Sequence, residues 1–379
     1  MTSIIAFEVD VPQQQIDDLR RRLASARWPE PETVGDFSQG LQLHRLRKLV
    51  EYWREGYDWR RCERMLNGLG QYRTRIDGLD IHFLHVRSRH ENALPMLLTH
   101  GWPGSVLEFS KVVGPLTDPV AHGGREEDAF HLVIPSLPGF GFSGIPSSSG
   151  WTLTRTASAW AELMLRLNYR RYVAQGGDLG AGVTTRMAKT RPNGLEAIHL
   201  NFPLLFPPEL RGEPTEAERS AIAQLQKYRE KAAGYSFLQK TRPQTLGYAL
   251  ADSPTGQAAW IYEKFLEWSG HDSSHSDVLS FDDMLDNISL YWFTNTAASS
   301  ARLYWESWDN DWGRTELELP VGCTIFPGEI YRAPRIWAER AYSNLFYWNE
   351  VGQGGHFAAF EQPHLFVEEM RTCFRSFRP

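Results

Sequence analysis

The sequence predicts an α/β fold built on a doubly wound, mostly parallel sheet. Between residues 72 and 200, short apolar runs alternate with helical stretches, a pattern typical of parallel strands that are buried on both faces. After Asn201 the pattern becomes helical, and strand signals return at Cys323. This break predicts a helical insertion after the fifth or sixth strand of one α/β domain. The first seventy residues show helical spacing without strand patterning and predict a helical N-terminal segment.

Local signals predict the individual elements in order. Pro12 can begin a first helix, a second spans Leu43 to Trp53, and a third can begin near Asp58. The turn Asp77-Gly78 joins two β-rich runs and predicts a hairpin. Further strands are predicted at Pro95–Leu98, Phe130–Ile134, Tyr172–Ala174, Ala197–Leu200, Cys323–Phe326 and Leu345–Trp348, with a closing helix around Leu365–Phe377. We predict four segments: N-terminal helices in 1–70, the first part of the core in 71–205, the helical insertion in 206–314 and the second part of the core in 315–379.

Composition excludes several functional classes. The net charge of -6 and the pI near 6.1 argue against a nucleic-acid partner. Cys62, Cys323 and Cys373 lack CxxC spacing, so we expect a reducing compartment with no disulfide framework and no zinc site. The N-terminus has no basic region before its short apolar run, Ile4–Phe7, and no stretch approaches the length of a membrane span. We therefore expect a cytoplasmic protein without a membrane anchor.

The stretch Gln175–Gly180 carries the strongest chemical signal. It follows an apolar run and precedes a helical pattern, which is the strand–turn–helix setting of a nucleophile elbow. Asp178 stands at its centre, where serine is more common. A carboxylate that opens a strained or activated alkyl carbon leaves an ester that water can cleave, whereas serine would leave a stable ether. Aspartate is also ionised at neutral pH without help from a base. The alternative is a glycine-rich turn with an aspartate helix cap.

An ester intermediate requires an activated water, and the chain order of α/β-hydrolases is nucleophile, acid, histidine. His356 lies in a glycine-rich loop just after the last predicted strand, and Glu329 follows the strand before it. A carboxylate at this point can hold the imidazole tautomer and stabilise its cation. Asp309 and Asp311 are alternatives to Glu329, but they precede the strand and so belong to its other end.

Two backbone amides are candidates for an oxyanion hole. One belongs to Leu179, the residue after Asp178, and the other to Trp102 in the loop His100–Ser105, which follows an early strand. The Trp102–Pro103 bond can be cis. A separate stretch, Gly139–Gly144, matches GxGxxG. It is followed by loop residues instead of a helix, so it does not predict dinucleotide binding.

Together these stretches resemble the microsomal-type epoxide hydrolases over essentially the whole chain. The similar stretches are Ala26–Pro29, His100–Ser105, Gly176–Gly180, Phe326–Glu329 and Gly354–Glu361. The resemblance implies an α/β-hydrolase fold with a helical cap, no metal and no cofactor. It also implies that Asp178 is the nucleophile and that His356 with Glu329 activates water.

The family further uses two cap tyrosines as acids, and the resemblance carries this role to Tyr235 and Tyr304. A tyrosine hydroxyl is a donor at neutral pH and can protonate the oxygen of an opening epoxide. Neighbouring tyrosines are expected to be packing residues; they are Tyr228, Tyr248, Tyr262 and Tyr291. Membrane-bound relatives carry an N-terminal anchor, and its absence from this sequence favours a soluble enzyme.

The expected function is therefore hydrolysis of an epoxide to a vicinal diol, with the epoxide and water as partners. A haloalkane dehalogenase is one alternative, although Leu179 stands where such enzymes often have a halide-binding tryptophan. A non-catalytic binding protein on the same scaffold is another. Cap tryptophans indicate either a bulky or aryl epoxide or simply cap core; they are Trp260, Trp268, Trp292, Trp305, Trp308 and Trp312. Natural substrate, selectivity, a detoxifying or biosynthetic role and a possible homodimer stay open.

Overall fold

A computed structural model describes residues 3–207, 213–269, 278–307 and 316–378. Within these ranges a single sheet contains nine strands. In chain order they are β1 (Ile5–Ala6), β2 (Gln71–Ile76), β3 (Leu79–Val86), β4 (Leu94–Thr99), β5 (Phe130–Pro135), β6 (Tyr172–Gly176), β7 (Leu195–Leu200), β8 (Val321–Ile325) and β9 (Leu345–Glu350). The strand order is β1-β2-β3-β5-β4-β6-β7-β8-β9.

The parallel part of the sheet runs from β5 to β9, and β1, β2 and β3 extend it with antiparallel pairs. Strands β4, β5, β6 and β8 are almost wholly buried, which agrees with the apolar runs in the sequence. The predicted hairpin is confirmed, because Asp77 and Gly78 both adopt positive φ between β2 and β3. Because β4, β6, β8 and β9 belong to the parallel part, their carboxyl ends share one edge of the sheet.

The N-terminal segment is helical except for β1. Its helices are α1 (Gln13–Ala24), α2 (Leu43–Glu55) and α3 (Trp59–Asn67). Asp58 caps α3 by accepting a hydrogen bond from the N–H of Arg60. The expectation that this segment has no strand was wrong, since Ile5 and Ala6 pair with β2. Two residues are too few to show alternation in the sequence, and the pairing is set by the neighbouring strand.

The remaining helices fall into a core set and a cap set. The core helices are α4 (Val113–Thr117), α5 (Leu153–Arg166) and α6 (Asp178–Thr190). The inserted cap helices are α7 (Glu216–Lys231), α8 (Gly234–Thr241), α9 (Pro243–Asp252), α10 (Pro254–Trp268), α11 (Phe281–Thr294) and α12 (Ala297–Ser307). The chain closes with α13 (Arg335–Ala341), α14 (Ala358–Glu361) and α15 (Pro363–Cys373). The insertion follows the seventh strand, not the fifth or sixth, and the unforeseen β1 is part of that difference. The boundaries of the four predicted segments stay predictions.

Cap helix α11 ties the N-terminal segment to the cap. Asp286 accepts a hydrogen bond from the Tyr57 hydroxyl at 2.7 Å and forms an ion pair with Arg61 at 2.6 Å. Burial raises the pKa of Asp286 to about 6, although Tyr57 and Arg61 oppose that shift. Trp53 adds a hydrogen bond to Ser289 at 2.9 Å. The helices before β2 are thus bonded to the insertion as well as packed on it.

Tyr57→Phe tests this connection. The substitution leaves a buried carboxylate with one fewer donor, and we expect a loss of about 1.5–3 kcal/mol in the free energy of unfolding. Tyr52→Phe is the matched control, because its hydroxyl bonds Asp282 in a more exposed place. Urea unfolding of both variants measures the difference. Equal losses in the two variants would show that burial of Asp286 adds nothing to this contact.

No helix in the four described ranges combines the length and the apolar character needed to cross a lipid bilayer.

Candidate active site

Asp178 sits on a strained turn between β6 and α6. Its φ is 50°, a left-handed value that non-glycine residues seldom adopt. The turn requires glycine on both sides, because a Cβ at Gly176 would collide with the carbonyl of Gly180, and a Cβ at Gly180 would collide with that of Thr99. The sequence therefore folds here as a nucleophile elbow, with the carboxylate of Asp178 at the edge where the parallel strands end.

The loop after β4 meets this carboxylate. The N–H of Trp102 donates to Oδ1 of Asp178 at 2.8 Å, and the Trp102–Pro103 bond is cis, as a bond before proline can be. Gly101 has to lack a side chain, since a Cβ there would overlap Asp178. Leu179 is the second residue of α6, so its N–H has no acceptor one turn earlier in the helix. Both predicted amides thus lie beside Asp178.

His356 and Glu329 meet across two neighbouring loops. The N–H of Gly328 donates to the carbonyl of Gly354 at 3.0 Å, which holds the loops after β8 and β9 together. Nδ1 of His356 lies 2.6 Å from Oε1 of Glu329, and Nε2 lies 3.5 Å from Oδ2 of Asp178. The carboxylate of Glu329 fixes the proton on Nδ1 and directs Nε2 toward Asp178. Asp309 and Asp311, the alternatives to Glu329, lie outside the described residues.

Electrostatics at His356 depend on both carboxylates. Burial by itself would lower the pKa of the imidazole, but Glu329 and Asp178 outweigh burial and raise that pKa well above its usual value. Both carboxylates therefore favour the protonated form of His356. Removing the charge of Asp178 removes part of this effect, so the imidazole can then release its proton more easily and serve as a base.

The two predicted cap tyrosines lie together above Trp102. Tyr235, near the start of α8, stacks on the ring of Trp102 at 5.1 Å, and Tyr304 of α12 meets the same ring edge-on at 6.0 Å. Their own ring centroids are 6.1 Å apart. Burial, with a further contribution from Asp178, raises the pKa of both hydroxyls well above the usual value. Both tyrosines therefore keep their protons and can act as donors.

Sequence reasoning missed several polar residues around this site. The hydroxyl of Tyr228 lies 3.0 Å from that of Tyr235, and the hydroxyl of Tyr291 donates to the carbonyl of Gly104 at 2.8 Å. Both tyrosines pack in the interior, as expected, and also form these hydrogen bonds. Glu108 was missed as well, although it stands four residues after a glycine of the Trp102 loop. Their positions near the site become apparent only in the folded chain.

Aromatic rings close the site on the cap side. Trp268, at the end of α10, lies 5.0 Å from the ring of His356 and 5.1 Å from that of Tyr235. Its carbonyl accepts the N–H of His356 at 3.0 Å, which connects the cap to the histidine loop. Trp305 is instead half exposed, and Trp308 and Trp312 lie outside the described residues. At least Trp268 therefore contributes to the site as well as to the cap core.

Comparison with known proteins agrees with this arrangement. Residues 4–109 match the sequence model of the epoxide hydrolase N terminus, and residues 95–245 match that of the alpha/beta hydrolase fold. A Stigmatella aurantiaca protein, provisionally named an epoxide hydrolase, is 60% identical over 99% of this chain and 86% of its own length. Epoxide hydrolase 1 of Oryctolagus cuniculus is 36% identical over 97% of this chain and 88% of its own length. The chain belongs to the epoxide hydrolase family.

Solved structures of this family have the same fold. The Aspergillus niger epoxide hydrolase superposes with a TM-score of 0.88 at 30% identity, covering 99% of this chain and 96% of its own. The juvenile hormone epoxide hydrolase of Bombyx mori superposes with a TM-score of 0.90 at 30% identity, covering 100% and 95%. The predicted α/β-hydrolase fold and the predicted family are both confirmed.

Proposed function

We propose that this epoxide hydrolase family member converts an epoxide to a vicinal diol through an alkyl ester on Asp178. The observation that carries the proposal is an aspartate at the elbow, beside a histidine bonded to a buried glutamate and below two buried tyrosines. Serine in the same place would suit acyl transfer, whereas a carboxylate suits attack at an alkyl carbon.

In the first half-reaction, Asp178 attacks one ring carbon while Tyr235 and Tyr304 donate hydrogen bonds to the epoxide oxygen. The carbon–oxygen bond breaks, and the oxygen takes a proton from a tyrosine hydroxyl as it becomes a hydroxyl. That tyrosine is reprotonated by the proton that His356 gives up once Asp178 is neutral. Because the pKa of each tyrosine hydroxyl is raised, both hydroxyls keep their protons at neutral pH and are available as donors when the alkoxide develops. The product of this step is a neutral ester at Asp178.

In the second half-reaction, His356 takes a proton from water as the water attacks the ester carbonyl. Esterification has already removed the negative charge of Asp178, which lowers the pKa of His356 and favours its basic form. Glu329 stabilises the imidazolium that forms. In this scheme the amides of Trp102 and Leu179 stabilise the oxyanion. Its collapse breaks the bond between the Asp178 carbonyl carbon and the substrate oxygen, that oxygen takes the proton held by His356 as the diol leaves, and the new Asp178 carboxyl passes its proton back to His356.

Turnover assays test the proposal directly. A panel of terminal, aryl and internal epoxides, with chiral analysis of the diols, would identify both the activity and the preferred substrate class. The aromatic wall formed by Trp102, Trp268 and the two tyrosines favours a bulky or aryl epoxide. Halide release from haloalkanes without diol formation from any epoxide would instead support a dehalogenase.

The cap tyrosines give a separate prediction. Tyr235→Phe and Tyr304→Phe are each expected to slow ester formation by about ten- to a thousandfold, because each removes one donor to the leaving oxygen. Stopped-flow measurement of the alkylation rate provides the test. Tyr248→Phe is the matched control, since Tyr248 is 69% exposed on the cap. An unchanged alkylation rate in both active-site variants would show that neither tyrosine assists ring opening.

A further inference from the structure

A small cavity adjoins Asp178 and His356 on the core side of the site. Its accessible volume is about 20 Å³, enough for roughly one or two water molecules. Its polar lining includes the side chains of Glu108, Gln175 and Asn201, in addition to Asp178 and His356. None of the three additional side chains has a part in the mechanism proposed above.

The Trp102 loop leaves room for Glu108 in the same way as it leaves room for Asp178. A Cβ at Gly104 would overlap the carboxyl group of Glu108, just as a Cβ at Gly101 would overlap that of Asp178. Because these two glycines lack a side chain, two carboxyl groups can pack against the same loop. Ser105 fixes the start of the short 3-10 helix Val106–Phe109 by accepting the N–H of Leu107 at 3.2 Å. Glu108 is therefore positioned by a capped turn.

Two side chains at the cavity have hydrogen-bonding capacity that the protein does not use. Among the described residues, Oε1 of Gln175 is buried without a hydrogen-bond partner, and the carboxyl group of the partly buried Glu108 forms no hydrogen bond with the protein. The other end of Gln175 is fixed, because Nε2 donates to Oδ1 of Asn201. Gln175 is only 1% exposed, so an unused acceptor there is costly unless a ligand such as water meets it. Burial also raises the pKa of Glu108 to about 8, so its acid is largely neutral at neutral pH.

We propose that Glu108 and Gln175 hold the water that cleaves the Asp178 ester. This inference rests on the proposed function and assigns a water site to its second half-reaction. The water donates one hydrogen to Nε2 of His356 and shares the other between an acceptor oxygen of Glu108 and Oε1 of Gln175, so that loss of either acceptor displaces the water. Its lone pair is then free to form a bond to the ester carbonyl carbon, and the proton passes to His356. Glu108 is a positioning residue in this scheme.

Glu108→Met provides the test, because methionine fills a similar volume without an acceptor oxygen. In stopped-flow and quench experiments with an epoxide that the wild-type enzyme turns over, alkylation is expected to stay within about twofold. Ester hydrolysis is expected to slow by about ten- to a hundredfold, the range for a misplaced reactant. The alkyl-enzyme then accumulates and is detected by intact mass. Glu108→Gln retains a carbonyl acceptor and is expected to recover most of the hydrolysis rate.

Glu369→Gln is the control for loss of a buried glutamate, since Glu369 accepts hydrogen bonds from Thr324 and Tyr347 away from the cavity. Both half-reactions of the Glu369→Gln variant should proceed at the wild-type rates.

If Glu108→Met does not fold, Gln175→Met is the substitute, with the same expected slowing of ester hydrolysis. Unchanged ester hydrolysis, or equal slowing of both steps, would overturn the water site. A wild-type enzyme that forms neither ester nor diol would instead reject the proposed function itself.

Discussion

The His356→Gln variant is expected to open the epoxide ring but to leave the product bound to Asp178 as an ester. Without the imidazole no base takes the proton of the attacking water, and steady-state turnover should fall by about 10²- to 10⁴-fold. The first half-reaction does not need a base, because Asp178 attacks as a carboxylate. Intact mass after mixing with substrate should therefore rise by the mass of one epoxide and remain there.

A histidine away from the active site provides the control for this experiment. His90 lies near Glu126 with its Nδ1 at 3.2 Å, away from the site, and His90→Gln should release diol at the wild-type rate. Circular dichroism shows whether His356→Gln retains its fold. A folded variant that forms no adduct would mean that His356 contributes to ring opening, for example by orienting Asp178. The model of two separate half-reactions would then need revision.

Much of the site could be predicted because its signals are local. The elbow needs glycines within two residues of Asp178, because a Cβ at Gly176 or at Gly180 would collide with a neighbouring backbone carbonyl group. Glu329 and His356 are far apart in the chain, but each directly follows a strand of the parallel sheet. Parallel strands end at the same edge, so chain order alone places these two loops as neighbours. The Trp102 loop follows β4 for the same reason.

Other features of the site and the fold depend on contacts that have no recognisable pattern in the sequence. Tyr228 and Tyr235 lie on the successive helices α7 and α8, and the turn between these helices brings their hydroxyl groups to 3.0 Å. Glu108 resembles an ordinary helix acid in the sequence, and its burial follows from the missing side chain at Gly104. The strand β1 is likewise formed by pairing with β2 and not by its own two residues. Tertiary packing decides each of these cases.

The fate of oxygen is expected to decide the role of Asp178. If water attacks the ester carbonyl, one oxygen of the diol originates in the Asp178 carboxylate and a solvent oxygen replaces it. A single turnover with excess enzyme in heavy-oxygen water should therefore release largely unlabelled diol. The label should appear in the proteolytic peptide that contains Asp178, where mass spectrometry locates it.

A direct attack of water on the epoxide predicts the reverse distribution, with labelled diol and an unlabelled peptide. In that case Asp178 would be a base or an orienting group, and its 3.5 Å approach to Nε2 of His356 would belong to a proton relay. The peptide that contains Asp286 is an internal control, because that carboxylate is engaged by Tyr57 and Arg61 and should take up no label. Label in the Asp178 peptide alone requires a covalent bond between this carboxylate and the substrate, since no other step exchanges its oxygen within one turnover.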